Sequence, residues 1–163
     1  MLEFIDAQLA VWPLARENYQ ALGRTERRSI RLGDLLVGIQ HNPARIVSTG
    51  AKTDAKAIAE RPCFLCADNR PPQQTALEIV DGWELLVNPY PIFPTHFTIV
   101  SRSHRPQEGF PMDMVMMAEK LPGHTVFFNG KVAGASCPDH MHCQAVKTLE
   151  SPLRQLIERV HSI

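Results

Sequence analysis

The chain has 163 residues, of which 44% are hydrophobic and 21% charged, with 17 basic residues balanced by 17 acidic ones. This length and composition predict a single domain over residues 1–163 and give no electrostatic reason to expect a nucleic-acid partner. The N-terminus carries Glu3 and Asp6 without an apolar run, and no stretch approaches the ~20 apolar residues of a membrane span. We therefore expect a cytoplasmic protein without a membrane partner.

The N-terminal part is predicted to contain one long helix followed by a hairpin. Apolar residues at helical spacing predict an amphipathic helix over residues 3–22, bent at Pro13. Strands are predicted at 27–32 and 35–41, joined by a Gly-Asp turn. Residues 42–60 have a mixed pattern, which is typical of loops and short helices.

The C-terminal part alternates strands and helices. Strands are predicted at 84–88 and 96–101, a Met-rich helix at 111–121, further strands at 124–129 and 140–146, and a last helix capped by Ser151-Pro152 and carrying Leu153, Leu156, Ile157 and Val160. This order predicts an α+β fold with a mainly antiparallel sheet flanked by helices.

The strand predicted at HMHCQAV carries a polar set at alternate positions. Side chains of a strand alternate between its two faces, so His140, His142 and Gln144 are expected on one face. The preceding loop, GKVAGAS, has little steric bulk, and its backbone N–H groups would let an anion approach closely. Two imidazoles on one face could share a metal or have different roles. A solvent-facing strand with chance histidines explains the motif equally well.

The segment CFLC contains the pair Cys63 and Cys66, which is the first half of a zinc site. The sequence has no second C-x-x-C, so the other two ligands stay open. The candidates include Cys137, Cys143 and the histidines, among them His104 at the end of a predicted strand. A redox-active pair and two buried thiols are the alternatives.

The combination of these motifs resembles the histidine-triad superfamily. The run N-G-x-x-x-G-x-S-x-x-D-H-x-H-x-Q, from Asn129 to Gln144, is similar to its active-site motif in the branch where glutamine replaces the third histidine. That branch holds galactose-1-phosphate uridylyltransferase, diadenosine polyphosphate phosphorylases and GDP-hexose phosphorylases. LLVNPYPIFPTHFTIVSRSH resembles the family's strand-turn-strand, and CFLC stands where zinc-bearing members carry their C-x-x-C. The resemblance covers residues 63–146 and is nearest to a bacterial group of the superfamily.

The resemblance implies a HIT-like fold and a nucleotidyltransferase or phosphorylase acting on a nucleotide-sugar or a dinucleoside polyphosphate. His142 would be the nucleophile that forms a nucleotidyl-histidine, and Gln144 would hydrogen-bond a phosphate oxygen. Because glutamine cannot protonate a leaving group, transfer is favoured over hydrolysis. Substrate would be bound by Asn88 at the nucleoside, by Asn129, Gly134 and Ser136 at the phosphoryl group, and by Arg45 at the leaving phosphates.

The resemblance also implies a structural Zn²⁺ in a closed Cys2His2 knuckle and a homodimer. The implied ligands are Cys63, Cys66, His104 and His140. The motif departs from the uridylyltransferase pattern by one extra residue, Asp139. Two other functions stay open: a nucleotide hydrolase that releases a nucleoside monophosphate, and a non-catalytic, zinc-stabilised nucleotide-binding module. The remaining histidines, His41, His96, His124 and His161, are interpreted as structural or surface residues.

Overall fold

A computed structural model describes residues 1–33, 35–50 and 52–148. The helices are α1 (Leu2–Val11), α2 (Pro13–Leu22), α3 (Ile46–Thr49), α4 (Ala55–Glu60) and α5 (Met114–Lys120). The strands are β1 (Glu26–Leu32), β2 (Leu35–His41), β3 (Ala76–Val80), β4 (Trp83–Val87), β5 (His96–Ser101), β6 (His124–Phe127) and β7 (His142–Lys147). The α+β class predicted from the sequence is confirmed. The helix predicted after Ser151 lies outside the described residues.

Pro13 divides the predicted N-terminal helix into two. α1 ends at Val11, Trp12 has extended backbone angles (φ −119°, ψ 93°), and Pro13 is the first residue of α2. The helical conformation is disfavoured before a proline, and proline has no N–H to continue the hydrogen-bond ladder. The chain therefore starts a new helix, and the prediction of one bent helix is wrong.

Five strands form an antiparallel sheet in the order β3-β4-β5-β7-β6. β7 therefore lies between β5 and β6, although it follows both in the sequence. Its register places Gln144 opposite Thr98 and His142 opposite Val100. The predicted hairpin is present as a separate two-stranded sheet, whereas β3 was not predicted. Among the described residues, no helix is long and apolar enough to cross a membrane.

The main core fills one face of the five-stranded sheet. Ile5 from α1 and Met117 from α5 pack there against strand residues that include Leu85, Val87, Phe97, Ile99, Cys143 and Ala145. Complete burial of a side chain the size of Phe97 contributes about 2–3 kcal/mol. Because neighbouring strand residues face opposite ways, burial of Cys143 and Ala145 turns His142 and Gln144 toward the other face.

Candidate functional site

A cavity of about 740 Å³ lies over the sheet face opposite the main core. The paired row Leu86, Thr98, Gln144 and Phe127 lines it, together with His142 from the next row. No Asp or Glu of the described residues contributes to this lining. A cavity without carboxylates does not repel an anion, so its composition suits a phosphate-bearing ligand.

All seven side chains or loop positions expected to contact substrate line this one cavity. They are Arg45, Asn88, Asn129, Gly134, Ser136, His142 and Gln144. They come from four separate segments of the chain, and the sheet register and the loop before β7 bring them together.

His142 is the first residue of β7, and its ring has one defined tautomer. Its Nδ1 lies 2.8 Å from the backbone carbonyl oxygen of His140. Since a carbonyl only accepts hydrogen bonds, Nδ1 carries the proton and Nε2 keeps its lone pair. Burial lowers the pKa of His142, which keeps the ring neutral at neutral pH. A neutral imidazole with a free Nε2 at a cavity wall can act as a nucleophile or a base.

Gln107 holds the backbone of His142 in place. Its Oε1 accepts from the His142 N–H at 2.7 Å, and its Nε2 donates to the carbonyls of His142 and Asn129, both at 2.8 Å. The side chain is only 2% exposed, so water does not compete for these bonds. Gln107 thus ties the start of β7 to the loop that carries Asn129. Gln107 was not predicted from the sequence, because a glutamine in a loop gives no signal of its partners.

Gln144 contacts His96, a buried histidine for which the sequence predicts no role in the site. Gln144 Oε1 lies 2.8 Å from Nε2 of His96, the first residue of β5. His96 is completely buried, and its Nδ1 accepts from the N–H of Ile92 at 3.1 Å. Burial lowers the pKa of His96 to about 4, so the ring is neutral at physiological pH.

The loop before β7 turns its small residues toward the cavity. The cavity is lined by Asn129, Gly134 and Ser136. Gly134 has a φ of +87°, a backbone conformation that residues with a side chain rarely adopt. A Cβ at this position would meet no atom within 4 Å, so a larger residue would not clash. The positive φ is therefore the reason for a glycine here. The loop can present backbone N–H groups to an anion.

Asn88 and Arg45 contribute to the cavity from the side of β4 and the segment after β2. The Asn88 amide is oriented by the chain, because its Oδ1 accepts from the Tyr90 N–H and its Nδ2 donates to Thr98 Oγ1. One Nδ2 proton is left for a ligand. Burial lowers the pKa of Arg45, but a guanidinium stays charged at neutral pH. Arg45 therefore places a positive charge in the cavity.

A second cluster, next to the cavity-lining residues Phe64 and Leu65, gathers the four predicted metal ligands. The donor atoms of Cys63, Cys66, His104 and His140 all lie within 4.8 Å of one another. Nδ1 of His140 is 3.2 Å from Cys63 Sγ and 3.5 Å from Cys66 Sγ, and Nδ1 of His104 is 3.2 Å from Cys66 Sγ. Ligands of a tetrahedral zinc with bond lengths of about 2.0–2.3 Å are separated by about 3.5 Å, so the spacing fits such an ion.

The protonation of the cluster also fits a metal. His140 Nε2 lies 2.7 Å from the Ser101 carbonyl and must donate to it, which leaves the Nδ1 lone pair directed at the thiols. A hydrogen bond from Cys137, assisted by the N–H groups of Leu65 and Cys66, lowers the pKa of Cys63 against the effect of burial. Burial, followed by the neighbouring Cys63, raises the pKa of Cys66 to about 11. A cation between the two sulfurs would favour both thiolates.

His140 connects this cluster to the cavity, although it is not a residue of the strand. The predicted strand began at residue 140, but β7 begins at His142, and His140 lies in a turn closed by its N–H to the Cys137 carbonyl. Its ring therefore faces Cys63 and Cys66, while its carbonyl accepts from His142 Nδ1. The predicted start of this strand is therefore two residues too early, although Met141 packs in the main core and the His140 ring lies on the other side, as the alternation predicted.

The extra residue of the motif, Asp139, forms an ion pair with Arg61 at 2.6 Å. Arg61 also lies 3.7 Å from the sulfur of Cys137, and its guanidinium packs 4.9 Å from the ring centre of Phe64. Asp139 therefore joins the loop before β7 to the knuckle at CFLC. Phe64 and Leu65 of that knuckle in turn line the cavity.

Comparison with known structures places this geometry in a known fold. The chain is similar to yeast Ap4A phosphorylase Apa2, solved in complex with AMP, at a TM-score of 0.54 and 17% sequence identity. The alignment covers 91% of this chain and 52% of that one, so this chain spans about half the length of that protein. The likeness shows the predicted HIT-like α+β fold.

Comparison of sequences identifies the family. Among curated proteins, no sequence matches the chain. Residues 4–147 match the family model described as "Domain of unknown function (DUF4922)", and the chain belongs to that family.

Proposed function

We propose that this protein is a nucleotidyltransferase or phosphorylase that acts on a nucleotide-sugar or a dinucleoside polyphosphate through a nucleotidyl-histidine. The observation that carries the proposal is the His142 ring, whose unprotonated Nε2 lies, with Gln144 and Arg45, at a cavity that no carboxylate of the described residues lines. The structural likeness to a phosphorylase that binds AMP supports a nucleotide as the ligand.

In the first step, His142 Nε2 attacks the α-phosphorus, and the bond from phosphorus to the leaving oxygen breaks. The electron pair of that bond leaves with the phosphate or sugar phosphate. The ring becomes cationic as the N–P bond forms, and the His140 carbonyl, which accepts from Nδ1, stabilises this charge. In the second step, an acceptor oxygen attacks phosphorus and releases Nε2.

The residues around the His142 ring would each bind a different part of the substrate. Gln144 donates to a non-bridging oxygen, while Ser136 and the backbone around Gly134 stabilise the charge that develops in the transition state. Arg45 neutralises the leaving phosphate, and Asn88 uses its free Nδ2 proton on the nucleoside. No proton donor is required for such a leaving group, because a phosphate is already a stable anion.

The metal would have a structural role. Zn²⁺ suits the two thiols and two imidazoles of Cys63, Cys66, His104 and His140, which form a closed set without a position for substrate. Bound there, the ion would supply a rigid link between the knuckle and the turn before β7. That turn contains the His140 carbonyl, which orients the His142 ring.

A second copy of the chain is the proposed protein partner. The hairpin β1–β2 leaves Ile30, Leu32 and Ile39 exposed, and its register places them on one face. A two-stranded sheet with an exposed apolar face is marginally stable alone. The chain spans about half of the structurally similar phosphorylase, which also supports pairing of two copies.

The test is the intact mass of the protein after brief incubation with ADP-, GDP- and UDP-sugars and dinucleoside polyphosphates. Samples are quenched at neutral to alkaline pH, since the N–P bond is acid-labile. We expect a gain of one nucleoside monophosphate, absent in His142→Ala and retained in His124→Ala. His124 is a matched control on β6 that does not line the cavity.

The acceptor distinguishes transfer from hydrolysis. A transferase or phosphorylase turns over when phosphate or a sugar phosphate is added, whereas release of nucleoside monophosphate in buffer alone would indicate a hydrolase. Nucleotide binding without any mass gain, for every donor, would contradict the proposal and indicate a binding module.

A further inference from the structure

The two ring nitrogens of His96 have different and fixed partners. The backbone N–H of Ile92 points at Nδ1 at 3.1 Å, and the side chain of Gln144 lies 2.8 Å from Nε2. A backbone N–H can only donate, so Nδ1 must accept and Nε2 must carry the ring proton. The Ile92 N–H therefore selects the tautomer.

The tautomer in turn orients the Gln144 amide. Nε2–H of His96 can pair with Gln144 Oε1 but not with the Gln144 NH2 group, because two donors would then face each other. A free glutamine amide reverses its two ends at little cost. Here reversal would break one hydrogen bond and oppose two N–H groups beside the fully buried His96 ring.

We propose that His96 is a positioning residue that fixes the Gln144 amide with its oxygen toward β5 and its NH2 group toward the cavity. The inference rests on the proposed function in one respect: it takes a phosphoryl oxygen as the group that accepts the hydrogen bond from the Gln144 NH2 group. In the reversed orientation, the amide oxygen would face a phosphoryl oxygen and repel it. His96 thus gives Gln144 its role as a donor.

The surroundings keep His96 in this state. Its backbone carbonyl accepts hydrogen bonds from the Asn88 N–H and from Tyr19 Oη. Hydrogen bonds therefore hold both the backbone and the ring of His96 in place. Arg45 lies near enough to disfavour a positive charge on the ring, in the same direction as burial. The protonated form, which would oppose the Ile92 N–H, is therefore absent at neutral pH.

The first part of the experiment needs no ligand. ¹⁵N NMR of the imidazole side chains is expected to show His96 as the Nε2–H tautomer, and the hydrogen bond from Nε2–H is expected to shift the Gln144 side-chain amide signals from those of a solvent-exposed glutamine. In His96→Leu the Gln144 side-chain amide signals should move toward those of a solvent-exposed glutamine, because the hydrogen bond to its carbonyl oxygen is lost. An Nδ1–H tautomer, or Gln144 signals unchanged in His96→Leu, would overturn the proposal whether or not the protein binds nucleotides.

The second part measures AMP affinity by calorimetry in a double-mutant cycle of His96→Leu and Gln144→Leu. Loss of one hydrogen bond to a charged group predicts about ten-fold weaker binding for His96→Leu. In the Gln144→Leu background the same change should have no further effect, since His96 acts through Gln144. An equal loss in both backgrounds would show a merely structural role and overturn the inference.

Two further variants guard against misfolding. His96→Gln keeps a side-chain donor at the position of Nε2 and is expected to restore most of the affinity. His124→Gln changes a histidine of the same sheet outside the cavity and should bind AMP as the unchanged protein does. If the unchanged protein does not bind AMP, the proposed function fails, and the NMR signals alone decide the role of His96.

Discussion

Acid should destabilise this protein through His96 in a narrow pH window. The pKa of His96 in the folded protein is about 4, against 6.5 for an ordinary histidine, because burial disfavours the charged ring. Between these two values the unfolded chain binds more protons than the folded one, so the free energy of unfolding falls as the pH falls. The stabilisation is present above pH 6.5 and is lost progressively toward pH 4.

The size of this effect follows from the shift. With pKa values of about 4 and 6.5, the free energy of unfolding contributed by His96 falls by about 2 kcal/mol between pH 7 and pH 5. The ring is completely buried, so this figure needs no reduction for solvent screening. His142, whose pKa is also lowered by burial, adds to the loss in the same direction.

The assay is urea denaturation at pH 7 and pH 5, followed by the fluorescence of the buried Trp12 and Trp83. The variant His96→Gln has no titrating group at this position and serves as the reference. Acid release of a metal and titration of other groups cancel in the comparison. The unchanged protein should lose about 2 kcal/mol more than the variant. Equal losses would refute the reasoning.

Two further predictions concern the metal and the second copy. If a structural metal contributes ~3 kcal/mol, a chelator should lower Tm by about 6–12 °C, with no effect on Cys66→Ser. Metal content near zero in protein purified without chelator would contradict this. Sedimentation should show a dimer that Leu32→Glu converts to a monomer, whereas Val115→Glu, on the exposed side of α5, should leave it intact. A monomer at every concentration would argue against the second copy.

The sequence predicts those features that depend on local pattern. β5 is found at the predicted residues, and burial of Cys143 and Ala145 bears out the alternation from which the cavity-facing side of His142 and Gln144 was inferred. The predicted strand start at His140 is two residues too early, because the N–H of His140 closes a turn with the Cys137 carbonyl instead of pairing in the sheet. Strand pattern carries no information about such a turn.

Other features depend on pairing between distant segments. Gln107 contacts a residue 35 positions away, and His96 contacts one 48 positions away. Only the register of β5 against β7 and the path of the loop after β5 decide these contacts. β3 escaped prediction because its residues are half exposed at the sheet edge and lack a buried alternating pattern.

The position of β7 has a consequence for how the molecule forms. β7 is the last strand of the described chain, yet it occupies an inner place between β5 and β6, which are not paired with each other. During synthesis, every shorter chain presents the unpaired edges of these two strands and lacks His142. Insertion of β7 closes both edges and brings His142 to the cavity in one event. The nascent protein is thus exposed to edge-to-edge association until β7 is in place.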